Sequence, residues 1–284
     1  MRKTRITPCL LCGRDAPQPV VVRNGYPIVR CGGCGLVYVH PLPPEEDLPG
    51  FYGEYHARDG GNEAGWNRLM GEIFREAADH LDALGNGSGP PRLLDVGCGY
   101  GGFVALMRDR GWDAEGVDPS PVTVHAASAK GIPVRLGTLD EFSDSGASYR
   151  AITMFYVLEH LFDPMSALRK AFGLLEPGGV LLVRVPDTTP IVRLLSPFGW
   201  GDALYDPPFH LLTFRPACSR GCSPRRASGR SGRSRAAIRS LPASRRGWPP
   251  CCSARSPGAC SREAAGGFSS PASAKPPSRE SLPE

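Results

Sequence analysis

The sequence predicts an α/β fold, a mostly parallel sheet with helices between its strands, preceded by a small cysteine-rich module. Three observations predict it. Short apolar runs alternate with segments of helical period between residues 92 and 185. A glycine-rich turn, Gly97-Cys98-Gly99-Tyr100-Gly101-Gly102, separates the first of these runs from the first of these helices. Two Cys-x2-Cys pairs, Cys9/Cys12 and Cys31/Cys34, come before all of it.

The cysteine module takes residues 1–45. Its pairs are 18 residues apart, the spacing of paired zinc knuckles. Each pair makes a tight turn, and Gly13 and Gly35 supply the permissive backbone just after it. Four thiolates complete a tetrahedral shell with no open position, so a zinc held by Cys9, Cys12, Cys31 and Cys34 is structural. Two disulfides are the alternative, which a cytosolic setting disfavours. Val20–Val22 and Ile28–Arg30 form a hairpin around Asn24-Gly25. Arg14, Arg23, Arg30, Tyr26 and Tyr38 are too few to mark a nucleic-acid surface.

Residues 46–91 read as a linker bearing Phe51, Tyr52, Tyr55 and His56, followed by an amphipathic helix. Trp66, Leu69, Met70, Ile73, Phe74, Ala77, Leu81 and Leu84 follow the 3.6 period and face a core. Gly85–Pro91 ends this helix.

The main domain, residues 92–217, begins with the strand Arg92–Val96. The glycine turn and a helix over Phe103–Arg110 follow, a strand-turn-helix cradle for a ligand. The second strand, Ala114–Val117, ends at Asp118, 21 residues past Gly97, where an acid suits a pair of ribose hydroxyls. The third strand is Ile132–Leu136 and the fourth Ala151–Phe155. A helix over Met165–Leu175 stops at Glu176-Pro177-Gly178-Gly179, and Val180–Val185 is the fifth strand. The cradle alone supports any adenosine-containing cofactor. Its spacing also fits G-x-G-x-x-G, so NAD stays open on these residues.

The texts LLDVGCGYGGF, EGVDPS, VLEHLFDP and LEPGGVLLVRVPD together resemble class I S-adenosylmethionine-dependent methyltransferases, closely over residues 92–187. The CxxC…CxxCGLVYVHPLP text resembles a zinc ribbon that precedes some of them, including C-methyltransferases acting on nucleotide-linked sugars. The resemblance implies a Rossmann-like sheet of seven strands, the last two a hairpin beside the fifth. It implies that Gly97, Gly99 and Gly101 line the methionine and ribose of S-adenosylmethionine and that Asp95 braces the loop. Asp118 would bind the ribose hydroxyls, Thr138 and Leu139 border the adenine, and Met154 and Phe155 lie beside the amino-acid end. His210, in PPFHLLTF, matches a histidine that related sugar C-methyltransferases place near the acceptor, and so is the candidate base. His160, in VLEHL, is the second candidate, and a structural role for it is equally open. Tyr156 and Glu159 are minor candidates. Arg150 stands where the family usually has Asp.

Residues 218–284 differ in kind. They carry 13 Lys+Arg against 3 Asp+Glu, whereas residues 1–217 carry 20 against 25. Ser, Arg, Pro, Ala and Gly make up 53 of these 67 residues, with neither helical nor strand period, so a disordered basic tail is expected. A reading-frame slip in a GC-rich gene gives such text, and its five cysteines favour that origin; a basic arm for nucleic acid is the other reading. With the tail in place of the last strands, the acceptor side is incomplete and the fifth strand has an open edge.

No apolar run reaches the ~18 residues of a membrane span. The basic N-terminus lacks an apolar core, so a cytoplasmic protein is expected. The expected activity is methyl transfer from S-adenosylmethionine to a small-molecule acceptor, a nucleotide-linked sugar or a natural-product intermediate. No membrane or nucleic-acid partner is expected. An NAD-dependent oxidoreductase and a non-catalytic zinc-ribbon binding protein are the alternatives.

Overall fold

The computed structural model describes residues 7–47, 63–84, 89–142, 148–186 and 205–214, and the backbone of 237–240. All lie in one compact unit spanning Met1–Ser253. Most of the linker aromatics' segment, residues 48–62, lies outside the described residues. So do residues 218–236 and 241–284 of the tail.

The N-terminal sheet has the order β1-β2-β3-β9. Its strands β1 (Pro17–Arg23), β2 (Tyr26–Cys31) and β3 (Val37–Val39) run antiparallel in sequence order. Asn24 at φ 50° and Gly25 at φ 80° make the β1–β2 turn with both central residues left-handed, the form that matches strand twist. The expected hairpin is present and longer than its apolar residues indicate. The fourth strand, β9 (Leu212–Thr213), arrives from the far end of the main domain and pairs antiparallel with β3.

The main sheet has the order β10-β8-β7-β4-β5-β6, and all its pairings are parallel. Its strands β4 (Arg92–Val96), β5 (Asp113–Asp118), β6 (Val134–Leu136), β7 (Tyr149–Phe155) and β8 (Leu175–Arg184) are the five expected from sequence. Among the described residues four helices accompany them: α1 (Glu63–Asp82), α2 (Gly102–Asp109), α3 (Pro121–Ser128) and α4 (Pro164–Leu174). Both α3 and α4 start on a side-chain cap followed by proline: Ser120 caps Thr123 N, and Asp163 caps Ser166 N. The chain leaves β4 towards β5 on one side and later returns to β7 on the other. This reversal opens a crevice beyond the carboxyl ends of β4 and β7.

Each face of the main sheet is buried. On one, Leu93, Ala151 and Phe155 meet α2 and the α1 stripe of Met70, Phe74, Ala77, Ala78 and Leu81. Phe74, Phe103 and Phe155 pack with ring centroids 4.8–5.2 Å apart. Leu69, expected on that stripe, is 67% exposed. It falls in the same row as Glu72 and Glu76, one step round the helix from Met70. On the other face, Val96, Met154 and Leu181 share one cluster with Cys9, Leu36 and Tyr38 of the N-terminal module and with Leu211 and Leu212. The module and the sheet therefore share a core.

Two differences concern β8. The Glu176–Gly179 turn is a loop within the strand: Tyr149 pairs with Leu175, and Ala151 with Val180. Gly178 takes φ 85° there. The second is at its outer edge, which the sequence leaves bare. Ala237–Ser240 of the tail forms β10, parallel to Val180–Val183. A ladder joins main chain to main chain, so an edge accepts an extended segment whose side chains show no strand period. These four residues are the part of the tail that the structure describes. No antiparallel hairpin follows β8 among the described residues of this sheet.

Candidate active site

The crevice is floored by the glycine turn. Gly97, Gly99 and Gly101 have φ 69°, 53° and 73°, a region that side chains rarely occupy. A Cβ on Gly97 would lie 2.5 Å from Val157 Cγ2, and one on Gly101 would lie 2.8 Å from Ile132 Cγ2. Those two glycines let the chain pass its neighbours. At Gly99 a Cβ would meet nothing within 4 Å, which leaves space for a ligand against the backbone. The α2 helix begins at Gly102 without a side-chain cap, so its first amides face the same crevice.

Asp118, at the end of β5, is only 7% exposed. Its Oδ2 accepts the Gly99 N–H at 2.8 Å; its Oδ1 accepts Ser120 N–H and Thr123 Oγ1–H, both at 2.9 Å. A carboxylate has about four acceptor positions, so roughly one remains for a ribose hydroxyl. Asp118 thus performs the bracing that the resemblance gives to Asp95. Asp95 is buried in the sheet and accepts Thr153 Oγ1–H at 2.6 Å, which ties β4 to β7. Burial pushes its carboxyl up to about 7; Thr153 opposes the shift and the Asp118 charge adds to it.

The other expected cofactor contacts divide. Thr138 is exposed past β6 and its N–H donates to Glu141 Oε2, whereas Leu139 is buried in the core. Met154 is fully buried against the core shared with the module, and Phe155 lies in the aromatic cluster on the other face. Their side chains serve packing, so a ligand beside them would meet backbone.

Beyond β7 the chain bends sharply. Tyr156 holds φ 58°, unusual for a bulky residue, and its N–H donates to the Arg184 carbonyl at 2.8 Å. Arg184 Nε donates to the Tyr156 hydroxyl at 3.0 Å. The only signal for Arg184 in the sequence is a cation at the end of an apolar strand. The 3-10 turn Leu158–His160 follows, and the two candidate bases His160 and His210 meet there, ring centroids 4.9 Å apart. His160 Nδ1 lies 2.6 Å from the Phe209 carbonyl. Burial, with His210 adding, pushes the His160 imidazole down to about 4, so it is neutral near pH 7.

Arg150 has an account in three dimensions. Its guanidinium donates to the Leu84 carbonyl at 3.0 Å, to Glu176 Oε1 at 3.3 Å and to the Gly178 carbonyl at 3.4 Å. It thus joins the end of α1 to the loop within β8.

The four N-terminal cysteines converge, with their sulfurs all within 4.8 Å of one another. Cys9 and Cys34 are 3.6 Å apart, as are Cys12 and Cys31, far beyond the ~2.0 Å of a disulfide. Zinc–sulfur bonds of ~2.3 Å set tetrahedral sulfurs roughly 3.8 Å apart, so this donor set fits a zinc ion.

A parallel sheet with a glycine cradle and an acid one strand later defines a nucleotide-type binding protein. The chain belongs to a methyltransferase domain family, whose profile matches residues 69–215, just over half of it. It is similar to a trans-aconitate 2-methyltransferase of Methylobacterium radiotolerans, 37% identical over 158 residues, 51% of this chain and 59% of that protein. It is also similar to a ubiquinone biosynthesis O-methyltransferase of Azorhizobium caulinodans, 31% identical over 104 residues, 34% of this chain and 41% of that one. The chain spans about half the length of the curated relatives it matches. Among solved structures, the plantazolicin methyltransferase BpumL, in complex with a pentazolic desmethylPZN analog and SAH, aligns at 18% identity and a TM-score of 0.41. That alignment covers 54% of this chain and 58% of that one. No helix among the described residues is long and apolar enough to cross a membrane.

Proposed function

We propose that this protein transfers a methyl group from S-adenosylmethionine to a small-molecule acceptor. The observation that carries the reading is the Gly99–Asp118 bond, which closes a glycine turn over open space at the sheet's switch point. Bound there, S-adenosylmethionine supplies a methyl already activated by its positive sulfur. The protein's part is placement. Gly97, Gly99 and the first turn of α2 hold the donor against backbone amides, and the remaining acceptor position of Asp118 takes a ribose hydroxyl. The turn from Tyr156 to His160, together with His210, marks the acceptor side.

The relatives' names, a trans-aconitate 2-methyltransferase and a ubiquinone biosynthesis O-methyltransferase, support a small organic acceptor. A nucleotide-linked sugar or a natural-product intermediate is the narrower proposal, resting on the N-terminal module. Zinc in the four-cysteine shell is structural, because that shell has no open position. Calorimetric titration of the zinc-loaded full chain with S-adenosylmethionine and, separately, NAD tests the reading. Binding of the first alone is expected; binding of NAD alone would turn the assignment to hydride transfer.

A further inference from the structure

A second group of metal-ligating side chains stands apart from the four cysteines. Glu159 and His160 end the 3-10 turn after β7, and His210 reaches them from the segment that leads into β9. A Glu159 carboxylate oxygen and one nitrogen of each histidine all lie within 4.8 Å of one another.

Packing does not account for Glu159. It is 0% exposed, and neither of its carboxylate oxygens has a hydrogen-bond partner among the described residues. A fold keeps a buried carboxylate when something pairs with it, and a metal ion is one such partner. The histidine beside it is set up for the same partner. A carbonyl oxygen only accepts, so the 2.6 Å contact from Phe209 places the His160 proton on Nδ1 and the lone pair on Nε2. A backbone carbonyl on the far nitrogen is how ligating histidines are commonly oriented. The third ligand is held by backbone as well. The His210 N–H donates to the Asp206 carbonyl, and the next residue, Leu211, donates its N–H to the Glu159 carbonyl, both at 2.9 Å.

From these contacts we infer that Glu159, His160 and His210 bind one divalent transition-metal ion, zinc being the natural occupant for two imidazoles and a carboxylate. Metal bonds of ~2.0–2.1 Å set such donors roughly 3.4 Å apart, so they close by at most about 1.4 Å, within the reach of side-chain rotation. Three protein ligands leave a fourth position open, unlike the closed cysteine shell. On the methyl-transfer reading, that position takes an oxygen of the acceptor, and His210 acts through the ion rather than as the base. The metal assignment itself does not depend on that reading.

Cobalt(II) titration of the metal-stripped full chain tests it. Cobalt on the cysteine shell, or on any of the tail's five cysteines, gives intense thiolate charge-transfer absorption; cobalt on this triad gives none. The expected result is one equivalent bound without that absorption, lost in Glu159→Gln and in His210→Ala. Wild type binding no thiolate-silent equivalent overturns the inference, as does an equivalent retained by both variants. Because His210→Ala could loosen its segment, thermal unfolding of Glu159→Gln adds an independent reading. Without metal its midpoint should exceed that of wild type, and zinc should no longer raise the midpoint by the increment that this site contributes. A midpoint below wild type with the full zinc increment kept would sink the assignment. Cofactor calorimetry on the same samples separates this outcome from failure of the methyl-transfer reading.

Discussion

The Asp118 carboxylate accepts the Gly99 N–H at 2.8 Å, which joins the acid ending β5 to the turn after β4 before any ligand arrives. The cradle is therefore held in shape by the residue that is also expected to touch the ribose, and its two roles can be separated.

Replacing Asp118 with Asn keeps an oxygen for Ser120 and Thr123 but turns an amide donor towards the Gly99 N–H. Donor affinity is expected to fall at least ~10-fold, since 1.4 kcal/mol is a factor of ten. Asp118→Ala leaves three donors without their acceptor and should cost about 2–4 kcal/mol of stability as well. Calorimetry and urea unfolding of both variants check this, with the Asn form expected to be the more stable.

Gly97→Ala sets a methyl against Val157 Cγ2 and strains a left-handed backbone, so it should destabilise by about 2–4 kcal/mol. Gly99→Ala meets no neighbour and should cost only ~1–2 kcal/mol in stability while weakening donor binding. Val157→Ala in the Gly97→Ala background relieves the clash and should restore part of the loss; denaturation midpoints of the three variants decide the matter.

Stability should depend on Asp95 in one direction. The folded protein holds the Asp95 proton up to about pH 7, whereas the unfolded chain releases it near the ordinary value of 3.8. Between these values the unfolded state binds fewer protons, so stability falls as pH rises and levels off above about 7. The contribution is on the order of 4 kcal/mol. Asp95→Asn, whose oxygen can still accept from Thr153, should flatten the profile between those limits. A profile unchanged by this substitution would remove the assignment.

On the proposed zinc assignment, stripping the ion from the cysteine shell should unsettle more than the N-terminal module. Cys9, Leu36 and Tyr38 share a core with Val96, Met154 and Leu181. Chelation, or Cys31→Ser, should therefore lower the main sheet's melting temperature, read by hydrogen exchange at β4 and β7. Loss of protection confined to residues 7–47 would show the two parts to be independent.

What the sequence made legible was local. The cysteine knuckles, the Asn24-Gly25 turn, the five parallel strands and the glycine cradle each follow from residues close together in the chain. What it hid depends on distant partners. The role of Arg150 needs Leu84, Glu176 and Gly178; the burial of Glu159 needs the segment ending at Phe214. Met154 and Phe155 were placed correctly at the strand end, but only the two packed faces show that their side chains belong to the core. The pairing of β10 was out of reach, because four residues of mixed type carry no period.

The pairing of Val37 with Thr213 and of Tyr38 with Leu212 spans most of the described chain. During synthesis strands β1 to β3 emerge first, and the outer flank of β3 waits for a partner made about 175 residues later. At ~5–20 residues per second, that wait is roughly 10–35 s. A ribosome that stalls or terminates before residue 213 thus releases a chain with a bare, sticky strand flank. Cellular quality control would meet that species first, and the yield of intact protein should respond to chaperone supply more than the thermal resistance of the finished molecule would indicate.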